Sequence, residues 1–176
     1  MTIYFSADTH FNHANIIKYC NRPFSSVEEM NEALIEKWNN KVKDNDQIYI
    51  LGDLIFGNGL QANDILNKLN GKKFFIKGNH DPFLKDKNFN RSLLEWIKDY
   101  YVLKVNKQKI VLFHYPIAEW DGKFHGSIHL YGHVHNNPFP YELGRTYNVG
   151  VDVNNFEPVS LEEILERIEK SDVDNS

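Results

Sequence analysis

At 176 residues, with hydrophobic residues at 41% and aromatics at 14%, the chain is sized for one globular domain and too short for a (β/α)8 barrel of roughly 250 residues. Its 20 Lys and Arg against 24 Asp and Glu leave a formal net charge of −4, which excludes a broad surface for nucleic acid or anionic membrane. A single cysteine, Cys20, excludes an internal disulfide and suits a reducing cytoplasm, and no segment approaches the roughly 20 apolar residues of a membrane span.

In chain order, Ile3-Tyr4-Phe5 predicts a buried strand that runs into Asp8-Thr9-His10. No basic leader precedes it, so no export signal is expected. Ser26, with Glu29 three residues on, predicts a capping box opening a helix whose apolar stripe is Val27, Met30, Leu34 and Trp38. Ile48 to Leu51 predicts a second strand ending at Gly52-Asp53. A helix carrying Ala62, Ile65, Leu66 and Leu69 follows and stops at Gly71. Phe74 to Ile76 predicts a third strand, reaching Gly78-Asn79-His80-Asp81 through Lys77. Strand, helix, strand in this order implies parallel pairing. Leu93, Leu94 and Ile97 suggest a short helix. Tyr101 to Val105 and Lys109 to Phe113, joined through Asn106-Lys107-Gln108, form a β-hairpin pattern that feeds His114. Ile128 to Tyr131 leads to Gly132-His133-Val134-His135, and Thr146 to Val151 is a further strand. Ser160 with Glu163 caps a last helix bearing Leu161, Ile164, Leu165 and Ile168, leaving 171–176 as an expected frayed tail on an ordered core of 1–170.

Five apolar runs thus each stop at a residue able to bind a metal. Side chains just beyond the carboxyl ends of strands face a shared crevice, so one common site is expected. Asp8, His10, Asp53, Asn79, His114, His133 and His135 supply carboxylate, imidazole and amide donors, the inventory of a dinuclear centre with one bridging carboxylate. The donor mix favours Mn, Fe or Zn over Mg, with Mn the expected activator, and the absence of thiolate excludes a Cys-type structural zinc.

Asp8 and His10, Gly52-Asp53, Gly78-Asn79-His80-Asp81, His114, and Gly132-His133 with His135, in that order, resemble the motif set of the calcineurin-like metallophosphoesterase superfamily over residues 8 to 135. The resemblance implies an α/β fold, a four-layer αββα sandwich of two mixed sheets flanked by helices. It implies that Asp8, His10 and His135 hold one metal, that Asn79, His114 and His133 hold the other, and that Asp53 bridges them. His80 would stand beside the metals and donate a proton to the leaving oxygen or hold the phosphate. Two ions roughly 3.5–4 Å apart can generate hydroxide near neutral pH and stabilise both entering and leaving oxygens of an in-line displacement.

Departures from the family pattern bear on the chemistry. Many members have Gly after the first His and an Asp three residues after the bridging Asp; here Phe11 and Phe56 occupy those positions. Asp81 is then the nearest carboxylate in sequence to orient His80. The protein Ser/Thr phosphatase branch places Arg after that Asp and Glu after Asn-His, where this chain has Gly57 and Asp81, so a phosphoprotein substrate is disfavoured. Arg22 and His13 follow the first strand and are candidate phosphate contacts. Tyr115, Trp120 and Phe124 are candidate cleft walls or core aromatics, and His125 and His129 are taken as surface or structural.

The expected activity is dinuclear-metal phosphoester hydrolysis, favouring a phosphodiester on a nucleotide-like or extended substrate, since little of the chain remains for a cap over the site. A phosphomonoesterase or pyrophosphohydrolase on the same metals, and a metal-binding scaffold without turnover, are the alternatives. No membrane association and no obligate protein partner are expected. A repair-type nuclease fits poorly, since the chain is net acidic and has no evident duplex-binding extension.

Overall fold

The computed structural model describes residues 1–138 and 144–174. Two mixed sheets with flanking helices form the expected α/β sandwich. In the first, β1 (Ile3–Ser6), β2 (Gln47–Leu51), β3 (Lys72–Ile76) and β4 (Trp96–Lys98) run parallel, and β9 (Val159–Ser160) pairs antiparallel with β1, giving the order β4-β3-β2-β1-β9. In the second, β5 (Tyr100–Val105), β6 (Gln108–Phe113), β7 (Ile128–Tyr131) and β8 (Thr146–Asn148) stand in sequence order. The β5–β6 pair is an antiparallel hairpin, and β6, β7 and β8 run parallel.

The period-two alternation of each strand divides its side chains between two cores. Ile48, Ile50 and Phe75 pack outward against α2 (Val27–Lys41) and α3 (Gly59–Lys68) in one cluster with Met30, Leu34, Trp38, Ile65 and Leu66. Phe5, Tyr49, Leu51 and Ile76 face the second sheet and meet Ile110, Leu112, Ile128 and Leu130. Ile164 and Ile168 of α4 (Leu161–Asp174) join that inner core, so this helix closes the side of the sandwich. On the other face of the second sheet, Trp120 packs over His129, and its indole nitrogen donates to Ser127 Oγ at 3.0 Å.

Caps set the helix starts. Ser26 Oγ accepts from the Glu29 amide, but the Glu29 carboxylate reaches past Ser26 to the Ser25 amide, so the box is displaced by one residue. Asn58 and Gln61 form a full capping box on α3, and Ser160 and Glu163 cap α4 reciprocally.

Several expectations need correction. Leu93, Leu94 and Ile97 do not form a helix: a single 3-10 turn, Arg91–Leu93, gives way to β4, whose Ile97 pairs with Phe75 of β3. Apolar residues three or four apart over five positions fit a turn followed by an edge strand as well as a helix. The strand expected over Thr146 to Val151 ends at Asn148 and continues as a 3-10 turn, Val151–Val153. Helix α1 (Ala14–Tyr19), short and without a side-chain cap, was not expected. Helix α4 runs on to Asp174 where a frayed tail was expected; residues 175 and 176 lie outside the described residues. Among the described residues no helix is long and apolar enough to cross a membrane.

Candidate metal centre and active-site cleft

Every parallel strand in the two sheets apart from edge strands β4 and β8 delivers a side chain to the same end of the sandwich. Asp8 and His10 follow β1, Asp53 follows β2, Asn79 and His80 follow β3, His114 follows β6, and His133 and His135 follow β7. The sheets are tied together there by backbone hydrogen bonds from Ala7 N to Val149 O (3.1 Å) and from Val151 N to Ala7 O (3.0 Å). The loops after β1 and β2 are knitted by Asp8 N to Gly52 O (3.1 Å) and His10 N to Asp53 O (3.0 Å).

The seven side chains converge in two groups. Asp8, His10 and His135 each offer one ligand atom within 4.8 Å of the others, and so do Asp53, His114 and His133. Asn79 Oδ1 belongs with the second group, 2.9 Å from His114 Nε2 and 3.0 Å from His133 Nδ1. Asp53 joins the groups: its Oδ2 lies 3.5 Å from His10 Nε2 and 3.7 Å from His114 Nε2.

The backbone is bent to achieve this. Asp8, His10, Asp53, His133 and His135 all have φ between 49° and 72°, the left-handed region. For a non-glycine residue that costs roughly 1–2 kcal/mol. Such strain is held only where surrounding structure enforces it and clusters at functional sites. The neighbouring glycines are there for room: a Cβ on Gly78 would collide with Asp53 Oδ1, and one on Gly132 with Asp8 Oδ2.

Outer partners orient the imidazoles. His114 Nδ1 donates to the Leu51 carbonyl at 2.6 Å, leaving Nε2 toward Asp53 and Asn79. His135 Nδ1 lies 2.8 Å from Asp152 Oδ2, and Asp152 is gripped in turn by Arg22, Nε to Oδ1 at 2.8 Å and a terminal nitrogen to Oδ2 at 2.9 Å. That ion pair is buried, and Arg22 also donates to the carbonyls of Asp8 (2.7 Å) and Thr9 (2.9 Å).

The sequence pattern of the calcineurin-like phosphoesterases matches residues 1–144. The chain belongs to the calcineurin-like phosphoesterase family. It is therefore a metal-dependent phosphoester hydrolase. The chain is 45% identical, over 97% of its length and 93% of the relative's, to an uncharacterised protein of Methanocaldococcus jannaschii. It is 25% identical over 85% of its length to the gene 66 protein of Mycobacterium phage D29, 87% of which is covered. A crystal structure of a protein of unknown function, AQ665 from Aquifex aeolicus, superposes with a TM-score of 0.77 at 25% identity, covering 95% of this chain and 99% of that one.

The phosphoesterase's donor set fits cations on its own chemistry. Asp8 Oδ1 and His10 Nε2 are buried with no hydrogen-bond partner, a costly state for polar atoms unless something else satisfies them. Burial, with the nearby Asp53 charge, pushes the Asp8 carboxyl up to about 8. Burial, with the charges of His135 and Arg22, pushes His10 down to about 2. Burial also lowers His114 and His133, against the pull of Asp53. A buried carboxyl that resists ionisation, close to the imidazoles of His10, His114 and His133 held toward their neutral form, suits a metal ion, whose charge would offset the burial and whose bonds need neutral nitrogens. Burial would lower His135 too, but its bond to Asp152 and the charges of Asp8 and Asp152 outweigh that and raise it. A third grouping, Cys20 with His135 and Asp152, is less suited, since both oxygens of Asp152 are already engaged by Arg22 and His135 and burial raises the Cys20 thiol to about 11.

Two expected roles are overturned. Arg22 faces inward and is committed to Asp152 and to backbone carbonyls, so it is no phosphate contact; the segment after β1 turns it under the site. Asp81 does not orient His80: its carboxylate accepts from the amides of Asp53, Leu54 and Gly78 at 2.7 to 3.0 Å and pins the loops after β2 and β3 to each other. Burial outweighs those bonds and raises it to about 6. His80 is exposed, its ring 6.0 Å from that of His10 and its backbone amide donating to Asp53 Oδ1 at 2.8 Å. His13 sits at the rim, its ring 5.4 Å from His10 and stacked on the exposed Phe56 at 4.8 Å.

Of the aromatics, Tyr115 borders the site, 4.6 Å from the His133 ring, whereas Trp120 is buried and Phe124 points to solvent. His129 is a buried structural histidine near the carbonyls of Val111 and Tyr115, lowered to about 4 by burial, and His125 is on the surface. Asp152 escaped sequence reasoning altogether. No motif marks it, and its only signal is a carboxylate a few residues past a short strand that ends beside the others.

Proposed function

We propose that this phosphoesterase is a dinuclear-metal phosphodiesterase acting on nucleotide-like or extended phosphoesters, a single domain working in a reducing compartment such as the cytoplasm. One observation carries the reading: Asp53 Oδ2 stands between His10 Nε2 and His114 Nε2, within 3.7 Å of each, and so can be shared by both donor groups. In this assignment Asp8, His10 and His135 hold one ion, Asn79, His114 and His133 the other, and Asp53 bridges them. Mn is the expected activating metal, with Fe and Zn compatible with the same donors. When bound, a pair of such ions lowers the pKa of water, binds phosphate oxygens and stabilises both oxygens of an in-line displacement.

The chain's own groups do the rest. The Leu51 carbonyl and Asp152 fix which imidazole nitrogens of His114 and His135 face inward. Asp53 Oδ1, by accepting the His80 amide, places His80 at the edge of the centre, where its imidazole delivers a proton to the leaving oxygen. His13 borders the phosphate from the other rim. The buried Cys20 thiol supports a reducing compartment.

Protein reconstituted with Mn is expected to hydrolyse bis(p-nitrophenyl) phosphate faster than the corresponding monoester. His80→Ala is expected to lower kcat for an alkyl diester by about 100-fold or more, and less for the p-nitrophenyl ester, whose leaving oxygen needs no acid. Metal-loaded protein that cleaves neither diester overturns the proposal; a monoester cleaved faster than the diester overturns the diester preference.

A further inference from the structure

Beside the centre opens a cleft of about 790 Å³, lined in part by Asn79, His80 and Tyr115. Its volume lies within the roughly 300–1,000 Å³ of sites for small organic ligands. Because His80 borders both the donor cluster and the cleft, a leaving group protonated by His80 extends into this space. The walls therefore describe that leaving group.

Two features of the lining stand out. Lys77, Lys85 and Arg91 all reach it, in a chain whose formal net charge is −4. Lys77 pairs with Asp99 at 2.9 Å. The ion pairs among the described residues include neither Lys85 nor Arg91. The only other carboxylate on the lining, Asp81, is engaged by three backbone amides. Lys85 ends the 3-10 turn Pro82–Lys85 and Arg91 opens the next, and an Arg91 guanidinium nitrogen donates to the Leu84 carbonyl at 3.2 Å, tying the two turns together. The second feature is unsaturated surface: Phe113 and Tyr115, rings 5.6 Å apart, line the cleft with the exposed Phe56.

Unpaired cations call for an anion, and exposed aromatic faces for a flat ring. A phosphorylated Ser or Thr carries no fixed second anion to set opposite Lys85 and Arg91. A nucleotide carries both a base and a further phosphate, and an unpaired base is free to stack. Resting on the phosphodiesterase reading above, we propose that this cleft is the leaving-nucleotide subsite for a short single-stranded oligonucleotide, with Lys85 and Arg91 holding the next phosphate and Tyr115 and Phe113 the base. Hydrolysis consumes one water: its oxygen bonds to phosphorus and gives up one proton, the bond from phosphorus to the leaving sugar oxygen breaks, that oxygen takes a proton from His80, and the proton given up by water restores His80 through solvent.

The test compares the Mn-loaded wild type with the Lys85→Ala, Arg91→Ala double variant on thymidylyl-thymidine, on the same dinucleotide phosphorylated at its 5′ or its 3′ end, and on bis(p-nitrophenyl) phosphate. A terminal phosphate at one of the two ends is expected to lower KM by about tenfold or more, the effect of charge-assisted hydrogen bonds, and the double variant to lose that gain. Calorimetric binding of thymidine 3′,5′-bisphosphate gives a readout independent of turnover and is expected to weaken by a similar factor. A phosphate gain under twofold at both ends, a gain that survives the double variant, or equal bisphosphate affinity in both proteins overturns the subsite. A phosphoserine peptide cleaved as well as the dinucleotides by both proteins does the same. A wild type that binds the bisphosphate yet cleaves no phosphoester overturns the hydrolase reading while leaving the subsite standing.

Discussion

The two donor groups are built differently. In the first, Asp8 and His10 are almost wholly buried and His135 leans on a carboxylate, Asp152, that is itself clamped by Arg22. In the second, Asn79 is exposed, His133 is half-buried and His114 leans on a neutral carbonyl. A carboxylate makes the imidazole it orients a stronger donor than a carbonyl does. In the proposed assignment the first position also has Asp8 to itself, whereas the second has a charged ligand only in the shared Asp53. The deep position should hold its ion tightly, and the one nearer the cleft should exchange it.

The largest effect should come from the residue the two halves share. Asp53→Asn is expected to reduce diester hydrolysis by more than about 100-fold, beyond the 10–100-fold typical of outer-sphere partners, and to drop bound Mn below two per chain by elemental analysis. Wild-type rate and metal content in that variant would erase the comparison altogether. Asp152→Asn should act on one half only, weakening the tighter Mn step by about 10–100-fold in a calorimetric titration while leaving the weaker step in place. Equal weakening of both steps would mean the relay does not distinguish the positions.

Titration sharpens the contrast further. Asp8 has its folded pKa raised to about 8, so the stability it contributes is full below the ordinary carboxyl range and is lost as pH rises toward 8. His10, lowered to about 2, works in the opposite sense, but only below its ordinary value of about 6.5. Between about pH 6.5 and 8 the Asp8 loss stands unopposed by His10, and His135, being raised, adds to it. Metal-free protein should therefore melt a few degrees lower at pH 8 than at pH 6.5, and Mn, taking the place of the proton, should raise Tm more at pH 8. A Tm gain from Mn that shrinks with rising pH would contradict this. The smallest effect belongs to the rim: Phe56→Ala, at a side chain 63% exposed, should change stability by less than about 0.5 kcal/mol in denaturant unfolding.

The same contrast separates what could be read in the sequence from what could not. The meeting of the seven candidate donors was legible because five short apolar runs lead into them, and parallel strands bring their carboxyl ends to one edge. Asp152 was not legible, since it sits in a 3-10 turn after a three-residue strand, and only folding brings it against His135. Arg22 was misjudged for a related reason. An Arg after a strand suits a phosphate or a buried carboxylate equally, and its partner lies 130 residues away. Asp81 shows the limit of adjacency, for next to His80 in the chain its side chain turns to the amides of other loops. In the fold, strands buried on both faces were plain, whereas β4 and α1 were not, being too short for their periodicity to distinguish turn, strand and helix.

Anomalous diffraction from crystals grown with Mn addresses the shared carboxylate most directly. Two peaks about 3.5–4 Å apart with Asp53 between them are expected, the one beside Asp8 and His135 the stronger at limiting metal. A single peak with Asp53 bound to nothing, or peaks confined to the Cys20 side of His135, would contradict the dinuclear centre.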